Sequence, residues 1–197
     1  MAFEPNHENH KNTDIGPRLD EILLWDDHFY LTRQVVIAAV GESSCLGVDV
    51  EALNHNQERI GQNFARLTCN KKAGKQLTEK LLEHIEIAIQ IVLSAIAGDL
   101  IRVIQQYELW IINAKEIAAI YAKYNHCIKY RIIEEMMLEH LETTFAEAVA
   151  IIFGDCEQST ERGNIALAHV REMAIYIASK FKKELCCNKP KKEDCCN

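Results

Sequence analysis

The chain has 197 residues, 48% hydrophobic and 26% charged, with a net charge of −7. That is enough chain for one domain with its own core, without help from disulfides or metal. The acidic balance, with no basic stripe, excludes nucleic acid as a partner; three prolines and eight glycines are too few for a turn-rich β architecture.

Residues 1–18 are polar and read as an N-terminal tail without the apolar stretch of a signal peptide. The next 166 residues, 19–184, read as an all-α domain: a six-helix bundle made of three helix-pair repeats of about 56 residues, at about 19–70, 75–126 and 131–184. Its first helix carries LLWDDHFYLTRQVVIAAVGE from Leu23, where Trp25, His28, Thr32, Val35 and Ala39 step by three and four as one helix face requires. LLEHIEIAIQIVLSAIAGD from Leu81 repeats the pattern with His84, Ala88, Ile91 and Ala95, and MMLEHLETTFAEAVAIIFGD from Met136 repeats it with His140. The three histidines follow an acid each time and stand 56 residues apart both times. Each segment ends in Gly plus an acid (Gly41-Glu42, Gly98-Asp99, Gly154-Asp155), as a helix closed by a left-handed residue would.

A second helix is predicted after each of these, over Val50–Leu67, Leu100–Tyr124 and Ile165–Phe181. Asn56, Asn113 and His169 align in them, followed by Ile60, Ile117 and Met173 and then by Gly61, Ala118 and Ala174, small residues that admit a neighbouring helix. No apolar run is long enough to span a membrane, since Glu86, Gln90 and Asp99 break the longest. Without a leader, the expected compartment is the cytoplasm where the chain is made.

The run Trp25-x-x-His28-x-x-x-Thr32-Arg33, with Asn56-Gln57-x-x-Ile60-Gly61, Leu82-x-His84-Ile85 and Trp110-x-x-Asn113, resembles a family of uncharacterised, mostly bacterial helical proteins that carry automatic labels such as glycosyltransferase or kinase. The resemblance covers roughly residues 20–181 and implies a helical bundle, with no activity attached. In that family the second helices carry Asn or His followed three residues on by an acid. Asn113 with Glu116 and His169 with Glu172 keep this, whereas Arg59 stands where the first acid would be.

Two functional expectations compete. Three equivalent histidines on apolar faces suit a transition metal ion or small ligand, with His28, His84, His140, Glu116, His169 and Glu172 as the metal-ligand set. Against metal, the Glu-x-x-His di-iron pattern is absent, because Trp25, Leu81 and Met137 stand three before the histidines, and there is no His-Glu-x-x-His zinc motif. The blander alternative is that each histidine bonds a neighbouring helix, or Thr32 and Thr144 one turn on. Glu147, on the His140 face, is expected at the bundle edge or else paired with His140 or Arg171.

The other expectation is structural. Cys45, Cys69, Cys127 and Cys156 fall near helix ends, and Cys186, Cys187, Cys195 and Cys196 flank a lysine-rich segment of the tail, 185–197. Adjacent Cys-Cys pairs lack zinc-knuckle spacing. Cross-linking through these four cysteines between copies of the chain, a homo-oligomer, or to other protein subunits would suit a self-associating building block of a spore coat or virus particle, oxidised after assembly. No phosphate loop or nucleophile elbow points to an enzyme.

Overall fold

A computed structural model of the chain describes residues 16–181. Cys186, Cys187, Cys195 and Cys196, expected to cross-link, lie outside them with the whole expected C-terminal tail and most of the N-terminal one. The described residues form six helices and no strand: α1 Pro17–Val40, α2 Leu46–Thr68, α3 Lys71–Ile96, α4 Leu100–Tyr124, α5 Tyr130–Ile152 and α6 Cys156–Ser179. The all-α six-helix bundle is therefore as expected, and none of these helices is long and apolar enough to cross a membrane. Several boundaries differ, and α2 starts at Leu46 rather than the expected Val50. Helix α1 starts at Pro17, whose fixed φ and missing N–H suit a first-turn position, and α6 starts at Cys156, nine residues before the expected Ile165. The early α6 start follows from Asp155, whose side chain accepts from the backbone N–H of Gln158. Asp99 does the same for α4 through Arg102, so the acid after each of these two glycines caps the next helix.

Gly98 and Gly154 take positive φ, at 74° and 69°, as the closing pattern predicts. In the first segment Glu42 takes that conformation instead (φ 50°), and Gly41 stays at −82°. Glu42 is thus used up in the turn, three further residues intervene, and α2 starts after Cys45 without a side-chain cap.

Each helix packs on its neighbours in the chain, and α6 returns to α1, closing a ring. Helices α1, α3 and α5 also meet pairwise, so they form an inner triangle with α2, α4 and α6 outside. Three hydrogen bonds pin outer helices to inner ones at corresponding places. The Asn56 Nδ2 donates to the Leu24 carbonyl at 3.0 Å, Asn113 Nδ2 to Lys80 at 3.0 Å, and His169 Nε2 to Met136 at 2.8 Å. Each accepting carbonyl lies four residues before one of the three histidines. The small residues serve close packing as expected: a Cβ on Gly61 would collide with Thr78 and with the Gly74 carbonyl, and Ala118 and Ala174 are fully buried.

The inner triangle is layered along its axis. Glu21, Leu77 and Ile133 are fully buried at one level, and Trp25, Leu81 and Met137 at the next. Then come His28, His84 and His140, all buried. One turn further, Thr32, Ala88 and Thr144 are only partly buried, although they face inward. Packing is looser at this level than at the histidines, and Val35, Ile91 and Glu147 beyond it are buried again.

Candidate site at the histidine layer

The three histidines converge. Ring centroids of His28 and His140 lie 5.5 Å apart, and those of His84 and His140 lie 6.0 Å apart. Trp25 lies edge-on to His28 at 5.2 Å, and Trp110 lies 5.0 Å from His84. Convergence follows from the inner-triangle arrangement, which brings the same face of α1, α3 and α5 to one axis.

Each histidine has one fixed nitrogen. His84 Nδ1 lies 2.8 Å from the Asn113 Oδ1, whose amide is oriented by its bond to Lys80. An amide oxygen only accepts, so His84 carries its proton on Nδ1 and presents a bare Nε2. The Gln57 Nε2 meets His28 Nδ1 at 3.0 Å, and Thr144 Oγ1 meets His140 Nδ1 at 3.4 Å. Burial pushes the His28 imidazole down to about 3, helped by the nearby His84 ring. Burial likewise holds His84 at about 4, against the bond to Asn113, and drives His140 well below its ordinary value. All three are neutral near pH 7.

The wider metal set does not assemble. Glu116 is half exposed and paired with Lys80 at 2.6 Å, Glu172 is exposed, and His169 is held by the Met136 carbonyl on the outer side. Among the described residues no three His, Cys, Asp or Glu side chains are placed to hold one ion. The His84 and His140 planes are within 18° of parallel, so those rings stack rather than aim at a common point. The bonds to Gln57, Asn113 and Thr144 match the reading in which each histidine is tied to a neighbouring helix or to the next turn.

Those bonds leave a remainder. Four buried polar atoms have no hydrogen-bond partner among the described residues: Thr32 Oγ1, Gln57 Oε1, His84 Nε2 and Trp110 Nε1. All four belong to the histidine layer or touch it. Gln57 bonds His28, Trp110 packs on His84, and Thr32 follows His28 by one turn. Leaving such an atom unmatched costs about 1–3 kcal/mol.

Beside this layer lies a cavity of about 70 Å³ with an apolar wall that includes Thr32, Val35, Ala88, Ile91, Trp110 and Thr144. A water needs only about 10–15 Å³ of such space. Through Val50, Ile85 and Ile89 it adjoins an open groove of about 600 Å³ between α2 and α3, lined also by Glu79, Glu83 and Glu86.

Glu147 is buried at the α1–α5–α6 contact, not at the edge as its sequence position suggested. Its partner is Arg33 rather than His140 or Arg171; Arg171 pairs with Asp26 at 2.7 Å instead. The close packing of Gly163 makes the burial feasible, since a Cβ there would come within 2.7 Å of the Glu147 carboxylate. Sequence reading also missed Glu21. It is fully buried and accepts from Trp25 Nε1 (3.1 Å), Asn63 Nδ2 (2.7 Å) and Tyr121 OH (3.3 Å). Burial raises its carboxyl above the ordinary value despite these donors. The signal available was Glu21 one turn before Trp25 on the inward stripe. Cys45, Cys69 and Cys156 lie at helix ends and are exposed, and Cys127 lies in the α4–α5 connection.

No protein-family model matches this sequence, and no curated protein or solved structure shows significant similarity to it.

Proposed function

We propose that this protein binds a small molecule in the cavity beside the histidine layer, with the inner triangle as a rigid holder. The observation that carries this reading is the apolar cavity of about 70 Å³ beside the histidine layer, walled by side chains from α1, α2, α3, α4 and α5. Ligand pockets are lined predominantly by apolar side chains. The stacked planes of His84 and His140 do not aim at one point, which favours this reading over a shared metal ion.

Xenon under pressure, followed by methyl NMR of the full chain, tests the reading. Shifts should concentrate on Val35, Ile91 and Val92 and vanish in Ala88→Leu, which fills the cavity. Shifts scattered over the surface, or none, would reject the pocket as a binding site.

The second reading is a self-associating building block. Its support is the outward face of α4, where Ile101, Ile104 and Ile112 are 72%, 61% and 55% exposed. Under this reading a second copy covers that face. Sedimentation should then show a concentration-dependent dimer lost in Ile104→Glu; a monomer at all concentrations would reject it. Cross-linking through Cys186, Cys187, Cys195 and Cys196 would add to such assembly, with non-reducing electrophoresis as its test.

A further inference from the structure

Asn125 ties two distant stretches of backbone together. Its Oδ1 accepts from the Cys127 N–H and its Nδ2 donates to the Lys180 carbonyl, both at 3.0 Å. A single amide thus bridges the α4–α5 connection and the end of α6. The neighbouring residues are anchored as well. Ile128 and Phe181 are buried in the same core cluster, and the Lys129 N–H donates to the Tyr176 hydroxyl at 3.0 Å. The Phe181 carbonyl accepts from Arg18. The last described residue is therefore fixed beside the connection that carries Cys127, itself half-buried.

Cys127 differs from the other described cysteines. Its sulfur is held in a disulfide, and Cys45, Cys69 and Cys156 are not its partner. Position agrees for the two that were candidates by exposure alone. Cys156 opens α6, whose 24 residues set it about 36 Å from Ser179. Cys69 turns its thiol onto the Arg66 carbonyl of its own helix.

The next cysteines along the chain are Cys186 and Cys187, five and six residues beyond Phe181. Five residues reach up to about 17 Å, and a disulfide needs its Cα atoms within about 7 Å, so the pair can return to Cys127 with slack. Cys195 and Cys196, fourteen and fifteen residues beyond Phe181, would close a longer loop at a greater entropic cost.

We infer that Cys127 is joined by a disulfide to the Cys186–Cys187 pair of the same chain, a staple that fixes the start of the C-terminal segment to the α4–α5 connection. The bond forms by exchange with a low-molecular-weight disulfide. The Cys127 thiolate attacks one sulfur of that compound and expels its other half as a thiol. A thiolate of the pair then attacks the Cys127 sulfur and expels the second half. Two protein thiols lose two protons and two electrons in all, and the small disulfide is reduced to two thiols. Any cross-link between copies is then left to the other cysteine of the pair and to Cys195 and Cys196.

The test oxidises an equal mixture of unlabelled and isotope-labelled full chain with hydroxyethyl disulfide, blocks remaining thiols with iodoacetamide, and digests with trypsin without reduction. Cleavage after Lys123, Lys129, Lys183, Lys191 and Lys192 puts Cys127 on residues 124–129, the pair on 184–191, and Cys195 with Cys196 on 193–197. Mass spectrometry should find 124–129 joined to 184–191, with both halves labelled or both unlabelled. Cys127 found alkylated, joined to 193–197 or to any other peptide, or joined across chains of mixed label, would overturn the staple.

Discussion

His84 and His140 lie face to face at the centre of the bundle, their ring centroids 6.0 Å apart and their planes within 18° of parallel. Two imidazoles in that relation resist protonation, because a charge on either would be buried beside the other ring with no counter-ion.

Acid should therefore loosen the bundle through its centre. The folded values of His28 and His84, about 3 and about 4, and that of His140, lower than normal, all lie below the ordinary 6.5. Between pH 6.5 and about 4 the unfolded chain takes protons that the folded chain refuses, so stability falls as pH falls. Each histidine contributes about 1.4 kcal/mol per pH unit well inside that window. Glu21 and Glu147, raised by burial, act in the opposite sense. His140→Asn isolates the histidine contribution: urea midpoints measured from pH 6.5 to 4.5 should give a slope flatter by about that amount. An unchanged slope would contradict the neutral buried layer.

Glu21 is the most exacting polar residue at the other end of the core. Glu21→Ala would leave three donors, on Trp25, Asn63 and Tyr121, facing a hole. The expected loss is about 3–5 kcal/mol, as for other broken buried polar networks. Tyr121→Phe removes the longest of the three bonds and should cost about 1 kcal/mol. Denaturant unfolding of both variants checks the order; equal losses would show that the network does not act around Glu21.

Asn113 fixes which nitrogen of His84 carries the proton. Asn113→Ala should cost about 1–3 kcal/mol and mix the two neutral tautomers. Long-range proton–nitrogen NMR reads this directly. The parent should show a protonated Nδ1 and a bare Nε2 at His84, and the variant an averaged pattern. A protonated Nε2 in the parent would reverse the donor and acceptor roles at the site.

Much of this bundle was legible in the chain. The period of three and four around His28, His84 and His140 gave the inward faces, but whether the three histidines converge was open until the helices were placed around one axis. Asn56, Asn113 and His169 aligned in the sequence, and in the fold they make the three corresponding bonds that join outer to inner helices. What stayed hidden depends on partners remote in sequence. Glu147 read as an edge residue because nothing local announces Arg33, 114 positions away, or the room left by Gly163. Glu21 escaped for the same reason, as Asn63 and Tyr121 come from α2 and α4. The metal set failed geometrically: Glu116 and Glu172 share helices with Asn113 and His169 but face outward, where Lys80 or solvent meets them. The cavity could not be read at all, since its wall is assembled from side chains of α1, α2, α3, α4 and α5.

The most direct test of the binding account is a crystal of the full chain under xenon pressure. The account predicts one dominant xenon atom beyond the histidine layer, in van der Waals contact with Val35, Ile91 and Val92. Xenon found only at the surface, or a cavity closed by Thr32, Ala88 and Thr144 packing together, would contradict it.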